Sequence, residues 1–362
     1  MVRNVVLVVV STVIALSMGE GLVFWLAPQD LSGSHLRQSP AGYLVNRSDG
    51  RTRHQLGDRV VYYEFSYPHL RGDAPNPEAS RILVLGDSFT FGYLLSRPDT
   101  YVEHLQRRLD GEFGGGSFQL VNMGTGGWGL SDVVRAVEEF GDIVDPVVVL
   151  VFINTDDIGR SIIKGMYTLA DDEGFELEDH SGELPILRAK YIVNQLPGYQ
   201  WLLEHSQIAI LVKRAMYYDV DEARLAERRR GSVPATYDVS VTAPHAQRLG
   251  RALVRRLNDW SKQRDIRLLV TTTGFHSFSD IPGEPTRLFM EKAPEIFAAE
   301  QVPFFDFSAQ LYERYEGVIT PLVIPGDHHP NEHAAETIAG FVWPWLRENL
   351  VDIRQHANQK TP

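Results

Sequence analysis

Short apolar runs alternate with amphipathic segments along most of the chain after residue 80. Runs at 82–85, 119–122, 147–153, 266–270 and 302–305 have the length and composition of β-strands. The segments between several of them carry apolar residues at helical spacing, and the longest covers residues 244–264. Because strands alternate with helices, the pattern predicts a parallel sheet with helices on both faces. The unbroken apolar run 147–153 predicts a central strand that is buried on both sides.

One long apolar segment, residues 5–26, lies near the N-terminus and matches the length of a bilayer-spanning helix, about 20 residues. Arg3 precedes this segment, and no basic residue follows it until Arg37. The positive-inside rule then places the N-terminus in the cytoplasm and the rest of the chain outside. Glu20 interrupts the apolar run, and a carboxylate at such a position marks a packing or functional contact.

Two interpretations of the segment 5–26 compete. Ala15, Leu16 and Ser17 have the small-residue pattern of a signal-peptidase site, and cleavage there would release the protein. The apolar run continues past Ser17, however, which favours a signal anchor over residues 1–28. The sequence therefore predicts a single-pass protein of the cytoplasmic membrane, with its folded domain on the periplasmic or extracellular side.

The remaining chain divides into four parts by composition. Residues 29–80 are polar and turn-rich and predict an extracytoplasmic stalk with an N-terminal extension. Residues 81–350 carry the strand–helix alternation and predict one α/β domain. Within it, residues 165–243 break the alternation and predict an insertion, either a lid or a partner surface, beside the carboxyl edge of the sheet. Residues 351–362 predict a C-terminal tail.

Composition excludes several classes of function. The net charge of −12 argues against a nucleic-acid partner, which needs a basic surface. The chain contains no cysteine, which excludes disulfides, thiolate zinc sites and a cysteine nucleophile. A hydrophobic content of 43% is ordinary for a globular protein and is sufficient for a core. We expect no cofactor and no metal.

Polar residues and glycines follow several of the predicted strands. In a parallel sheet, catalytic and binding residues usually lie at these carboxyl ends of the strands. Gly86, Asp87 and Ser88 follow the first strand, and a strand–turn–helix there would raise the serine hydroxyl above the sheet edge. The second strand leads into a glycine-rich loop, and the third ends at Asn154. The segment 327–331, Asp-His-His-Pro-Asn, comes just before the last helix. Nucleophilic catalysis by serine needs a base, a group that orients the base, and oxyanion donors, and these positions offer all of them.

Four blocks in this order resemble the SGNH (GDSL-type) hydrolase superfamily, and the N-terminal helix resembles that of membrane-anchored bacterial members. The blocks are residues 86–92 (Gly-Asp-Ser-Phe-Thr-Phe-Gly), 122–129 (Asn-Met-Gly-Thr-Gly-Gly-Trp-Gly), Asn154, and 327–331. The third block departs from Gly-x-Asn-Asp, because Thr155 separates Asn154 from Asp156. The last departs from Asp-x-x-His, because a single residue separates Asp327 from His329.

The resemblance implies both a fold and a set of roles. The fold is a three-layer α/β/α sandwich with a mostly parallel five-stranded, flavodoxin-like sheet. Ser88 would be the nucleophile, His329 its base and Asp327 the acid that orients His329. The oxyanion hole would combine the backbone N–H groups of Ser88 and Gly124 with the side chain of Asn154.

The expected function is an extracytoplasmic serine ester hydrolase (an SGNH esterase) that forms an acyl-enzyme on O-acetyl or other acyl esters of envelope or extracellular glycans. The expected partners are therefore an acyl-ester substrate, a polysaccharide among the candidates, and the membrane through residues 5–26. Three alternatives stay open. The same site could serve an O-acyltransferase, the chain could be a non-catalytic subunit of an envelope complex, or a metal could bind among the residues Asp327, His328, His329, Glu332 and His333.

Overall fold

The structure is a computed structural model that describes residues 2–29, 31, 35–56, 59–171, 174–181, 196, 198–212, 215, 243–278 and 285–360. The helices are α1 (Val2–Leu26), α2 (Ser88–Phe91), α3 (Tyr101–Phe113), α4 (Leu130–Val144), α5 (Asp157–Lys164), α6 (Tyr199–His205), α7 (Ala243–Lys262), α8 (Pro285–Ala299), α9 (Ser308–Arg314) and α10 (Glu332–Lys360). The strands are β1 (Leu36–Gln38), β2 (Leu44–Asn46), β3 (Arg51–Leu56), β4 (Arg59–Ser66), β5 (Leu70–Arg71), β6 (Ser80–Leu85), β7 (Phe118–Asn122), β8 (Val148–Ile153), β9 (Tyr167–Leu169), β10 (Leu177–Asp179), β11 (Arg267–Thr272) and β12 (Phe304–Phe305).

A five-stranded sheet forms the centre of the molecule, in the order β12-β11-β8-β6-β7. Every pairing in it is parallel. β8 is central and all six of its residues are buried, as its continuous apolar sequence predicts. Each of the five predicted strands is present in this sheet, with ends that differ by one or two residues.

Two hydrophobic cores lie on opposite faces of the sheet because side chains alternate along each strand. In β8, Val149, Val151 and Ile153 join the core under α4, α7 and α8. The intervening residues Val148 and Leu150 join the core under α3, α9 and α10. The molecule is therefore a three-layer α/β/α sandwich with a parallel five-stranded sheet, which confirms the predicted fold class.

The segment predicted as a stalk, residues 29–80, packs against the domain over the part that the structure describes. β1 pairs with β2, and β3, β4 and β5 form a second antiparallel sheet. Tyr43, Tyr63 and Leu70 are fully buried. The Tyr43 hydroxyl donates to Glu139 Oε2 on α4 at 2.8 Å. We call residues 35–71 the N-terminal extension.

Much of the predicted insertion, residues 165–243, lies outside the described residues. Its described part contains the antiparallel hairpin β9–β10, the helix α6 and a helical segment at 207–212. Glu204 on α6 pairs with Arg47 of the N-terminal extension at 2.9 Å. This ion pair joins the insertion to the extension.

Helix α1 projects its apolar side chains outward. Residues Arg3–Leu26 are long and apolar enough to cross a membrane, a property that a signal sequence shares. The side chains of its large apolar residues are exposed, for example Val8 at 63% and Trp25 at 78%. The part of α1 that contacts the domain lies around Gly19 and Glu20, near its C-terminal end.

Candidate active site

Ser88 lies at the sharp turn between β6 and α2. Gly86 has a φ of +156°, and a Cβ there would lie 2.1 Å from Thr90 Oγ1 and 2.8 Å from Phe152 O. This position therefore requires glycine. The carboxylate of Asp87 then caps α2 by accepting from Phe89 N at 2.8 Å. The turn leaves the Ser88 hydroxyl at the carboxyl edge of the sheet, with the residue 9% exposed.

His329 and Asp327 lie beside Ser88 although 241 positions separate the serine from the histidine. The distance from His329 Nε2 to Ser88 Oγ is 2.8 Å. His329 Nδ1 forms a short contact with Asp327 Oδ1, which also accepts from the backbone N–H of His329 at 2.9 Å. A carboxylate can only accept, so Nδ1 carries the proton and Nε2 faces the serine with its lone pair. The structure thus brings together the three predicted catalytic residues.

The single residue between Asp327 and His329 is compatible with this contact because the loop turns sharply there. Asp327 N donates to Ile324 O, and Ile324 N donates to His329 O, both at 2.9 Å. Asn331 then caps α10 by accepting from Ala334 N at 2.9 Å, while its amide nitrogen donates to Pro321 O at the same distance. The turn therefore holds both side chains on the same side of the loop.

The charge state of Asp327 follows from these contacts. Burial raises the pKa of Asp327, but the hydrogen bonds from His329 and the charge of that imidazole outweigh burial and hold the pKa below its ordinary value. Asp327 is therefore a carboxylate at neutral pH. An ionised partner stabilises positive charge on His329, which is what a base needs after it takes a proton.

Asn154 lies at the end of β8, next to Asp87. Its Nδ2 donates to Asp87 Oδ2 at 3.3 Å, and its Oδ1 accepts from Thr155 N at 2.9 Å and from Thr273 Oγ1 at 3.2 Å. These bonds fix the orientation of the amide. A primary amide has two hydrogens, so one of them is available for a further acceptor beside the contact to Asp87.

The backbone N–H of Gly124 already has an acceptor, whereas its predicted role as an oxyanion donor requires a free N–H. Its N–H donates to Asn122 Oδ1 at 2.9 Å, and its carbonyl accepts from Asn46 Nδ2 at 2.9 Å. A Cβ on Gly124 would lie 2.6 Å from Phe91 N, so this glycine permits close packing on α2. Gly126, two residues further on, faces the nucleophile: a Cβ there would lie 4.0 Å from Ser88 Cβ.

Arg160 on α5 connects three of the four blocks, a role that the sequence did not reveal. Its guanidinium donates to Asp87 Oδ2 at 2.8 Å and to Trp128 O at 2.9 Å, and it lies 3.5 Å from Asp157 Oδ1. Asp157 in turn accepts from Asn154 N at 2.8 Å. The signal in the sequence was a pair of acidic residues, Asp156 and Asp157, four and three positions before the arginine.

The charges around Arg160 depend on one another. Burial, and next the charge of Asp87, raise the pKa of Asp157 well above its ordinary value, whereas Arg160 lowers it. Burial opposes the charge of Arg160, but Asp87 and Asp157 outweigh burial and raise the pKa of Arg160. The cation therefore offsets part of the cost of burying Asp87 and Asp157 together behind the nucleophile.

Aromatic side chains line the His329 side of the site. The ring of Tyr93 lies 4.6 Å from that of His329, centroid to centroid, and the ring of Phe89 lies 5.4 Å away. The Tyr93 hydroxyl is 2.8 Å from His54 Nε2, which belongs to the N-terminal extension. The extension therefore contributes to the surroundings of the imidazole.

Two histidines of the alternative metal site face different partners. His329 faces Ser88, whereas His333 Nε2 is 2.6 Å from the hydroxyl of Tyr315. Among the described residues, no group of three or more His, Asp or Glu side chains has an arrangement that could hold a metal ion.

No protein-family model matches the chain, and no curated protein matches it. Solved structures align with 72% to 75% of the chain. A psychrotrophic esterase, EstA from Pseudoalteromonas sp., is 13% identical over 75% of this chain and 98% of its own, with a TM-score of 0.42. TesA is 14% identical over 74% of this chain and 98% of its own, with a TM-score of 0.41.

A putative lipolytic protein of the G-D-S-L family from Desulfitobacterium hafniense also aligns. It is 11% identical over 73% of this chain and 98% of its own, with a TM-score of 0.40. At these identities and TM-scores the likeness assigns no activity to the chain. Support for a function comes instead from the four sequence blocks and from the contacts that Ser88, His329, Asp327 and Asn154 make in this structure.

Proposed function

We propose that the chain is a serine ester hydrolase that works through an acyl-enzyme on Ser88. The observation that carries this proposal is the hydrogen-bonded series Ser88–His329–Asp327, with 2.8 Å between Ser88 Oγ and His329 Nε2. A nucleophile, a base and an oriented partner for the base are the elements that acyl transfer requires.

In the proposed reaction, His329 Nε2 takes the proton of Ser88 as Oγ forms a bond to the ester carbonyl carbon. The Asp327 carboxylate, already bonded to Nδ1, stabilises the imidazolium that results. The tetrahedral intermediate then expels the alcohol, which receives the proton from His329. Water attacks the acyl-enzyme by the same route, and the acid leaves with Ser88 restored.

In the proposed reaction, two groups donate hydrogen bonds to the oxyanion. Ser88 is the first residue of α2, so its N–H has no acceptor within the helix. The second amide hydrogen of Asn154 is the other donor, and the contact with Asp87 holds that amide in place. The N–H of Gly124, the third predicted donor, would have to leave Asn122 Oδ1 before it could take part.

We propose the same organisation and location as the sequence predicts. Residues 1–28 form a signal anchor, 29–80 the extracytoplasmic stalk and N-terminal extension, 81–350 the hydrolase domain with its insertion at 165–243, and 351–362 a tail. The apolar helix α1 and the charge bias around it support a location outside the cytoplasmic membrane. Acyl esters on envelope or extracellular glycans, O-acetyl groups in particular, are the substrates that such a location would offer.

The full-length chain in detergent micelles tests this proposal with a short acyl ester and with an O-acetylated oligosaccharide. We expect turnover by the wild type and none by Ser88→Ala. Ser96→Ala is the matched control, because Ser96 is exposed and its side chain caps nothing. Full turnover by Ser88→Ala would overturn the assignment of the nucleophile.

Product analysis separates hydrolysis from transfer. The oligosaccharide is incubated with and without an unacetylated acceptor. Release of free acetate in both reactions supports the hydrolase. Movement of the acetyl group to the acceptor would identify an acyltransferase that uses the same acyl-enzyme.

A further inference from the structure

Glu20 interrupts the apolar run of helix α1, and its carboxylate is hydrogen-bonded to the folded domain. Its Oε2 accepts from Gln207 N at 2.6 Å, and its Oε1 accepts from the hydroxyl of Ser206. Ser206 and Gln207 are buried, at 8% and 7% exposure. The carboxylate of α1 is therefore bonded to the insertion at the point where α6 ends and the helical segment 207–212 begins.

The helices also approach closely at this contact. A Cβ on Gly19 would lie 2.9 Å from Ile208 Cδ1, so the glycine lets α1 pass directly beside the insertion. Gln207 reaches further along the chain through its side-chain oxygen, which accepts from Gln29 N. Contacts at Gly19, Glu20 and Gln29 thus hold the insertion against the last turns of α1 and the residues after it.

The depth of this contact follows from helix geometry. Glu20 lies six positions before Leu26, where α1 ends, which is about 9 Å along the axis at 1.5 Å per residue. The 24-residue span is about 36 Å long against a hydrocarbon thickness of about 30 Å. If α1 spans a bilayer, Glu20 therefore lies about 3 to 9 Å below the outer edge of the hydrocarbon. Residues bonded to it cannot stand clear of the membrane.

The surface of the insertion beside this contact is apolar. We define the apolar face of the insertion by four exposed side chains, with exposures between 38% and 61%: Trp201, Leu202, Leu211 and Val212. Their neighbours Leu203 and Ile210 point inward, at 2% and 8% exposure, so each helix buries one side and presents the other. Tryptophan is typical of membrane–water interfaces, where its ring lies at headgroup level.

We propose that the apolar face of the insertion is a second membrane-binding surface that lies in the outer lipid–water interface beside α1. Amphipathic helices in that position bury their apolar side about 5–10 Å into the headgroup and acyl boundary, which matches the depth that Glu20 imposes. This inference rests on the proposed membrane anchor, but it does not depend on the proposed chemistry.

The consequence is a fixed orientation of the domain on the membrane. Glu204 on α6 pairs with Arg47 of the N-terminal extension at 2.9 Å. The adjacent residue Asn46 donates to the carbonyl of Gly124, in the loop beside Ser88. Two membrane attachments joined in this way place the active site at one height above the lipid, whereas a single helix on a stalk would leave it free to swing.

Site-directed spin labelling of the full-length chain in lipid nanodiscs tests the proposal. The chain contains no cysteine, so each single-cysteine variant carries one label. Val212→Cys reports on the apolar face, Val10→Cys on the middle of α1, and Val318→Cys on the loop between α9 and α10. These three valines have matched exposures of 49%, 50% and 50%. Collision with oxygen reports lipid, and collision with a water-soluble nickel chelate reports water.

We expect the label at position 212 to lose nickel accessibility relative to position 318 and to gain oxygen accessibility, as the label at position 10 does. Trp201→Cys, on α6, should give the same result and serves if the Val212 variant does not fold. Nickel accessibility at 212 and 201 equal to that at 318, with position 10 in lipid, would overturn the interfacial surface alone. Protection from both reagents at 212 would also overturn it, because protein and not lipid would then cover the face. A water-exposed label at position 10 would overturn the anchor and the inference together, while the ester assay would be unaffected.

Discussion

Arg160→Met removes the cation that holds two buried carboxylates behind the nucleophile. In the part of the chain that the structure describes, Arg160 is the only ion-pair partner of Asp87 and of Asp157. Asp87 is 1% exposed and Asp157 is 3% exposed, so neither can turn to water in place of the lost guanidinium. The variant therefore leaves two carboxyl groups buried together without a counter-charge, although their hydrogen bonds from Phe89 and Asn154 remain.

Breaking a buried pair by removing one partner costs about 3–5 kcal/mol. The side chain of Arg160 is 24% exposed, so water screens part of the interaction, and we expect a loss near the lower end, about 3 kcal/mol. Arg347→Met is the matched control. Its pair with Glu112 is similarly close, at 2.7 Å, but lies on the surface with 47% of the arginine side chain exposed. A pair of that kind contributes less than about 1 kcal/mol.

Urea unfolding, followed by circular dichroism at pH 5 and pH 8, measures both losses. Burial and Asp87 already hold the pKa of Asp157 above its ordinary value, and without Arg160 that pKa rises further. The native variant therefore binds more protons at Asp157 than the wild type does and loses more stability as the pH rises. We therefore expect the difference between wild type and Arg160→Met to grow from pH 5 to pH 8, and the difference for Arg347→Met to stay small. Equal losses for the two variants, or a difference for Arg160→Met that does not change with pH, would refute this account of the charges.

Three further predictions concern the site itself. Asn154→Ala should lower kcat by about 10²–10³ with a small change in KM, because one oxyanion donor is lost; an unchanged kcat would remove Asn154 from the mechanism. Gly86→Ala should cost at least about 2 kcal/mol of stability in thermal unfolding, since the φ of Gly86 is +156° and a Cβ there would overlap Thr90 Oγ1. Gly111→Ala is the control, because a Cβ at Gly111 meets nothing within 4 Å; it should be neutral or stabilising by up to about 1 kcal/mol. Asp327→Asn should lower kcat by about 10³–10⁴ at neutral pH. The pKa of Asp327 is lowered in the native state, so the carboxylate adds stability above its ordinary pKa of about 3.9. That added stability should disappear as the pH falls through the native pKa. Unfolding of the wild type and of Asp327→Asn at pH 7 and pH 3 would reveal the loss.

The central sheet could be predicted from sequence because its strands are buried on both faces. Such strands must be continuously apolar, as 147–153 is, and a run of this kind is visible without any tertiary information. The positions of Ser88 and Asn154 followed from the same sheet, since the carboxyl ends of parallel strands meet at one edge. His329 lies in the loop before the last helix, and the resemblance of its block was what indicated its role. Four blocks in the right order then indicated which side chains meet there.

Other features depend on long-range contacts that no local pattern encodes. Arg160 looked like an ordinary residue of a helix start, and only the fold brings it to Asp87 and Trp128. The polar, turn-rich composition of residues 29–80 did not predict that Tyr63 would be fully buried against the domain. The side-chain oxygen of Asn122 accepts the N–H of Gly124, which spacing alone could not predict. Glu20 was visible as an anomaly in the sequence, and its partners were not.

The most direct test of the central proposal is the site of covalent modification by a serine-reactive fluorophosphonate. Mass spectrometry of the digested full-length protein should find one adduct per chain, on Ser88. Labelling should be much slower in His329→Ala, because the base is missing, and absent in Ser88→Ala. An adduct on another residue, or no adduct on the folded wild-type chain, would contradict the proposal that Ser88 is an activated nucleophile, and the second outcome would favour a non-catalytic envelope subunit.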